Sequence, residues 1–140
     1  MREILFRGKR KDNGEWVYGN LIYKQASVGN SVIALIIGSA EWDNNTGFYH
    51  LCNSHKVIPE TIGQYTGLTD KNGKKIFEGD VVKGKDNLVN DLEVYGYIDH
   101  KNGSFVIVGD FVTHYRWLDY DVEVIGNIHD NPELVKELGK

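Results

Sequence analysis

Apolar and polar residues alternate with a period of two along most of the chain, in short runs separated by Asn, Asp and Gly. That period puts successive side chains on opposite faces of an extended strand. Residues 2–7 predict a first strand, and Asp12-Asn13-Gly14 predicts a turn, because Asn and Gly tolerate positive φ at little cost. Residues 16–23 resume the alternation, so the simplest reading is a hairpin. A further turn at 27–30 leads to 32–37, a continuous β-branched and aliphatic run suited to a strand covered on both faces. Residues 38–45 are polar and read as irregular, with Trp42 inside them, and 48–52 predict a short strand. Pro59 cannot donate to a ladder and belongs at a strand edge or in a connection.

The second half punctuates itself more clearly. Strands are predicted at 62–65, 75–77, 81–83, 92–99, 105–108, 112–118 and 121–128. Turns fall at Asp70-Lys71-Asn72-Gly73, at Gly79-Asp80 and at Asn102-Gly103, and 86–91 reads as a polar loop. Within 113–117 the alternation assigns Thr113, Tyr115 and Trp117 to one face and His114 and Arg116 to the other. The end changes character. Asn131 before Pro132 and Glu133 is a helix-start signature, and Leu134, Val135 and Leu138 share one helical face, predicting a short terminal helix over 132–139.

Four of the strands carry glycine at their middles, as Tyr18-Gly19-Asn20-Leu21, Ile62-Gly63-Gln64-Tyr65, Tyr95-Gly96-Tyr97-Ile98 and Ile125-Gly126-Asn127-Ile128. Glycine inside a strand weakens it and marks a bulge, a bend or a close backbone approach. Small closed barrels need such corners, so the pattern favours coiled, barrel-like antiparallel sheets over flat ones.

Composition narrows the function classes. A chain of 140 residues, 41% hydrophobic and 26% charged, builds a globular domain, not a disordered one. Its net charge of −4 disfavours a general nucleic-acid binder, whose affinity comes from Lys and Arg on phosphates. Two local basic clusters run against that trend, Arg2, Arg7, Lys9, Arg10 and Lys11 near the start and Lys71, Lys74 and Lys75 at one turn. The single cysteine, Cys52, rules out an internal disulfide and suits a reducing compartment. No apolar segment precedes Lys11 and the longest apolar run is six residues, 32–37, so neither a secretory signal nor a bilayer span is expected.

Candidate chemistry is sparse. His50, Cys52 and His55 cluster without the second ligand pair that zinc prefers, so no metal or cofactor is expected. The carboxylates of Asp70, Glu78 and Asp80 fall in one hairpin-like unit and could act as acid and base, although turns recruit Asp for backbone reasons. No nucleophile elbow or phosphate-binding glycine loop is present. The aromatics Tyr65, Phe77, Tyr95, Tyr97, Phe105, Tyr115, Trp117 and Tyr120 crowd the second half, where they either pack a core or line a groove for extended peptides or stacked bases.

The segment IGQYTGLTDKNGKKIFEGDVVK at 62–83 and EVIGNIHDNPEL at 123–134 resemble the signature of YopX proteins. The opening REILFR at 2–7 and VYGNLI at 17–22 are similar to that family's N-terminus, although Gly8 follows Arg7 where the family often has an aromatic. The resemblance implies a phage or prophage protein and an all-β fold whose C-terminal half, about 63–131, is SH3-barrel-like. It implies no agreed activity. The family's recurring residues map onto Gly63, Tyr65, Thr66, Gly67, Asp70, Gly73, Glu78, Gly79, Asp80, Val81, Gly126, Asn127, Asn131 and Pro132.

The expectation is therefore a mainly β protein, one domain over 1–140, with subdomains at 1–60 and 61–131 before the helix. The functional expectation is a non-enzymatic interaction or assembly protein of the host cytoplasm, with a protein partner and self-association. A nucleic-acid accessory role and a small hydrolase are the alternatives. Binding candidates are Tyr65, Thr66, Asp70, Glu78, Asp80, Tyr97, Tyr115 and Trp117.

Overall fold

The computed structural model describes residues 1–87, 92–136 and 138. They form two compact units, Met1–Gln64 and Tyr65–Lys140, built from antiparallel strands. The strands are β1 (Phe6–Lys9), β2 (Trp16–Gln25), β3 (Val32–Asp43), β4 (Phe48–Lys56), β5 (Gly63–Thr69), β6 (Lys75–Phe77), β7 (Asp80–Asp86), β8 (Leu92–Lys101), β9 (Ser104–Gly109), β10 (Thr113–His114) and β11 (Tyr120–Asn127).

In the first unit the strand order is β4-β3-β2-β1-β5. β1 pairs β2 through Phe6↔Gly19 to Lys9↔Trp16, and its start pairs β5 through Arg7↔Gly63. Ala34, Ile36 and Val57 are buried, with Phe6, Val17, Leu21, Val32 and Ile62 packed around them. Gly19 lies where a Cβ would meet the Ile37 carbonyl oxygen at 2.3 Å, so β2 and β3 approach closely there. Bare backbone at this position admits the contact, as the mid-strand glycine predicts.

β3 runs six residues past the 32–37 expected, through the stretch read as irregular. Beyond Ile37 it pairs only with β4, from Ser39↔Cys52 to Asp43↔Phe48, and the two form an arm of two strands. The turn at its tip is fixed by Asp43, whose carboxylate accepts the Asn45 amide at 2.8 Å and whose carbonyl accepts the Gly47 amide at 2.9 Å. Gly47 has φ +74°, the left-handed conformation the turn requires. Polar side chains in 38–45 thus belong to one face of a strand and to the turn, not to a loop.

In the second unit β6 pairs with the later part of β5, and a five-stranded sheet runs β10-β9-β8-β7-β11. Ile76, Val82, Val94, Ile98, Ile107, Trp117 and Val122 form its core. Gly96 repeats the device of Gly19: a Cβ there would meet the Val108 carbonyl oxygen at 2.3 Å. Gly126 marks a register shift between Val124 and Gly126, a bulge in β11 against β7. Barrel closure is not seen, because β10 and β11 remain the sheet's two edges. The sheet is nonetheless strongly coiled. Flat, its edges would lie about 19 Å apart at the usual strand spacing, yet Nδ1 of His114 on β10 and the Tyr120 hydroxyl on β11 are 3.2 Å apart.

Two further expectations are corrected. The terminal helix reduces to a 3-10 turn, Pro132–Leu134. Asn131 does not cap it; its Oδ1 accepts the Asn127 amide at 3.2 Å instead, so the side chain that would nucleate a helix is spent closing the preceding turn. The strand expected over 112–118 shrinks to the two residues of β10. Trp117 turns inward, where its indole N–H donates to the Phe105 carbonyl at 2.9 Å, while Tyr115 is exposed, so the two do not share a face. The loop residues 88–91 and part of the expected helix, at 137 and 139, lie outside the described residues.

Candidate interaction surface

Most of the residues singled out from the sequence are held by the backbone. The Asp70 carboxylate is buried and accepts three amides, from Asn72 at 2.8 Å, Lys74 at 2.9 Å and Val124 at 3.1 Å. Burial pushes its pKa up, but the amides of Val124, Lys74 and Asn72 and the nearby Lys74 charge outweigh that, and the net shift is downward. Asp80 is 1% exposed and accepts the Phe77 amide at 2.8 Å, closing the turn between β6 and β7. Glu78 is half-buried on the same turn. Thr66 donates to the Ile76 carbonyl at 2.8 Å and accepts the Leu68 amide at 3.2 Å, which spans the irregular pairing of β5 with β6. Tyr65 is buried against Phe77 with the Lys75 ammonium 5.3 Å from its ring, and Tyr97 is half-buried opposite Val81 and Val108. The Asp70 and Asp80 carboxylates therefore act as turn locks, and of the binding candidates only Tyr115 offers an open aromatic surface.

The basic clusters are partly engaged. Arg7 is buried with its guanidinium 4.6 Å from the Trp16 ring, and Lys9 lies 5.6 Å from the same ring. Arg10 pairs with Asp12 at 2.6 Å, and Lys71 reaches Glu123 at 3.6 Å. A groove of about 590 Å³ lies across β7, β8 and β11, where Lys83 stands between Tyr95 and Glu123, and Lys85 between Glu93 and Asp121. Its three lysines are matched by three carboxylates, the cross-strand pattern that stabilises a solvated sheet. A polyanion gains little from such a neutral surface.

His50 Nε2 is 3.1 Å from the Asp43 carboxylate and 3.2 Å from the Thr46 hydroxyl, partners that account for it without a metal. Among the described residues, no three His, Cys, Asp or Glu side chains converge.

The arm is the surface that stands out, and the candidates drawn from the sequence do not include it. Residues directly opposite in an antiparallel pair share a face. Trp42↔Tyr49 and Ala40↔Leu51 thus lie on one side, while Glu41↔His50 and Asp43↔Phe48 lie on the other. Counting back by twos along β3, the Trp42 face is the face of Ile36 and Ala34, the core-facing side of the sheet. The core pattern continues past the core. Ile36 is 1% exposed, whereas Trp42 is 53%, Tyr49 69% and Leu51 53%. Trp42 and Tyr49 meet edge to face at 5.1 Å, and the Trp42 indole N–H donates to Asn44 Oδ1 at 2.9 Å, which holds both rings in place. The signal in the sequence is the period-two spacing of Ala40, Trp42, Tyr49 and Leu51 about the Asn-Asn-Thr-Gly turn.

These features define an all-β protein of two compact units with an apolar arm. The YopX protein family matches residues 5–136, and the chain belongs to that family. Its structure is similar to the crystal structure of protein EF1440 from Enterococcus faecalis, with a TM-score of 0.62 and 28% identity over 96% of this chain and 99% of that one. No curated protein matches the chain. No helix among the described residues is long and apolar enough to cross a membrane.

Proposed function

We propose that this YopX protein is a non-enzymatic interaction or assembly module, of phage or prophage origin, that acts in the host cytoplasm. The observation that carries the reading is the arm, whose core-facing side leaves Trp42, Tyr49 and Leu51 open to solvent. Apolar alternation is the pattern of a strand covered on one face, and an uncovered cluster of large apolar groups marks a contact surface. Trp and Tyr are the residues that dominate such contacts. The acidic balance of the chain and the spent carboxylates of Asp70 and Asp80 support a binding role over a catalytic one. The coiled sheet of the second unit is read as an open relative of the SH3 barrel that holds the fold together.

Affinity capture from host cells, with and without nuclease, tests the reading when wild type is compared with a Trp42→Ser/Tyr49→Ser double variant. A partner that survives nuclease and is lost with the double variant is expected. Partners that vanish with nuclease would move the function to nucleic acid. A partner profile identical for wild type and variant would remove the arm from the function.

A further inference from the structure

We infer that the outer side of the first unit's sheet binds single-stranded nucleic acid. This side lies across the sheet from Ala34 and Ile36 and is separate from the Trp42 side of the arm. Register defines it. Arg7↔Tyr18 and Lys9↔Trp16 place four side chains together, and the period of two carries that side along β2 to Lys24. Lys24↔Ile33 and Leu35↔Lys56 carry it across β3 to Lys56 on β4. β1, β2 and β4 contain no carboxylate. β3 has only Glu41 and Asp43, which share this side but lie out on the arm, the nearer about 13 Å past Ile37 at the usual rise. Met1–Gln64 holds seven Lys and Arg against six Asp and Glu, so the acidity of the chain resides in the second unit.

A single strand presents phosphates, which attract cations, and unstacked bases, which seek flat apolar groups. This side of the sheet interleaves the two. Tyr18 is 52% exposed and is the open stacking surface. Trp16 stands beside it, with the Arg7 guanidinium 4.6 Å and the Lys9 ammonium 5.6 Å from its ring. Ile22 and Ile33 lie open between Tyr18 and the exposed Lys24. From Trp16 to Lys24 the strand spans about 26 Å at the usual rise, enough for the few nucleotides that such a platform holds. A duplex keeps its bases stacked inside and gives Tyr18 nothing to stack on. An acidic peptide meets the lysines but brings no base. Only the single strand uses both halves of the surface.

Fluorescence anisotropy of a labelled short oligothymidylate, titrated with the full chain at low salt and again as salt is raised, tests this. Wild type is expected to bind with a log–log salt slope of about −2, at about −0.7 for each phosphate contact from Lys9, Lys24 and Lys56. Lys24→Gln/Lys56→Gln is expected to flatten that slope to about −0.7. Tyr18→Ala is expected to keep the slope and lose at least about fivefold in affinity, the least that one base stack is worth. All three substituted side chains are exposed, and circular dichroism verifies that the variants fold. An unchanged anisotropy at low salt overturns the inference. So does a Tyr18→Ala protein that binds as wild type does. Equal binding of a duplex or of a polyglutamate peptide also overturns it, since charge alone would then account for the contact.

Discussion

The carboxylate of Asp70 and the amide of Val124 are 54 positions apart in the chain and 3.1 Å apart in the fold. One oxygen of Asp70 builds its own turn through Asn72 and Lys74, and the other fastens that turn to β11, beside the bond from the Lys71 amide to the Val122 carbonyl. Asp70→Ala leaves buried amides without acceptors and is expected to destabilise the second unit by about 2–3 kcal/mol. Asp70→Asn keeps the turn but not the Val124 bond and costs less. Equilibrium denaturation of the two variants checks the order.

The same residue fixes an acid limb. Its folded pKa lies below its ordinary value, so its stabilisation is complete above the unfolded carboxylate range, near pH 4. That stabilisation is lost as pH falls through the folded pKa. The second unit is expected to weaken below about pH 4, and Asp70→Asn to flatten that limb. A thermal-melt series against pH reads both.

His114 and Tyr120 extend the pH dependence upward. Burial lowers the His114 pKa against the opposing pull of Asp86, so the unfolded chain takes up the proton first. Folding stability therefore declines as pH drops through the ordinary histidine range, near 6.5. Burial raises the Tyr120 pKa, and its hydrogen bond to Asp86 raises it further, so the unfolded chain ionises first and stability declines above about pH 10. Nuclear magnetic resonance titration is expected to place the His114 midpoint below that of a free histidine, and Tyr120→Phe to remove the alkaline limb.

Gly96 is a steric prediction. A Cβ there meets the Val108 carbonyl oxygen at 2.3 Å and the Ile107 side chain at 2.9 Å, and both neighbours are fixed in β9. Gly96→Ala is expected to cost about 2–3 kcal/mol by forcing β8 from β9. Gly103→Ala has open space around its Cβ and bears only the strain of φ +79°. It is expected to cost about 1 kcal/mol. Parallel urea titrations would separate the two mechanisms.

Local patterning made much of this fold legible. Nearly every β-strand contains or overlaps a run visible as period-two alternation, and the mid-strand glycines at 19, 96 and 126 lie at the close approaches and the bulge they predict. Long-range partners were not legible. Asp70 reads the same whether its carboxylate faces solvent or Val124, and Asn131 reads as a helix cap until Asn127 takes its side chain. Trp117 follows the alternation of Tyr115 in sequence, yet the Phe105 carbonyl draws it inward. The arm was hidden for another reason. Its polar face, with Glu41, Asp43 and the turn asparagines, breaks the apolar run at 38–45, and the exposure of its apolar face depends on where the core ends.

Ile36 and Trp42 lie on one strand and one face, six residues apart, and differ in what covers them. Ile36 is buried among Ala34, Val57 and their neighbours, so Ile36→Ala leaves a cavity and is expected to cost about 3 kcal/mol. Trp42→Ala removes one edge-to-face contact and one hydrogen bond on an open surface. It is expected to cost at most about 1 kcal/mol. Denaturation midpoints of the three proteins decide it. A Trp42→Ala penalty as large as that of Ile36→Ala would mean that the chain itself covers the arm.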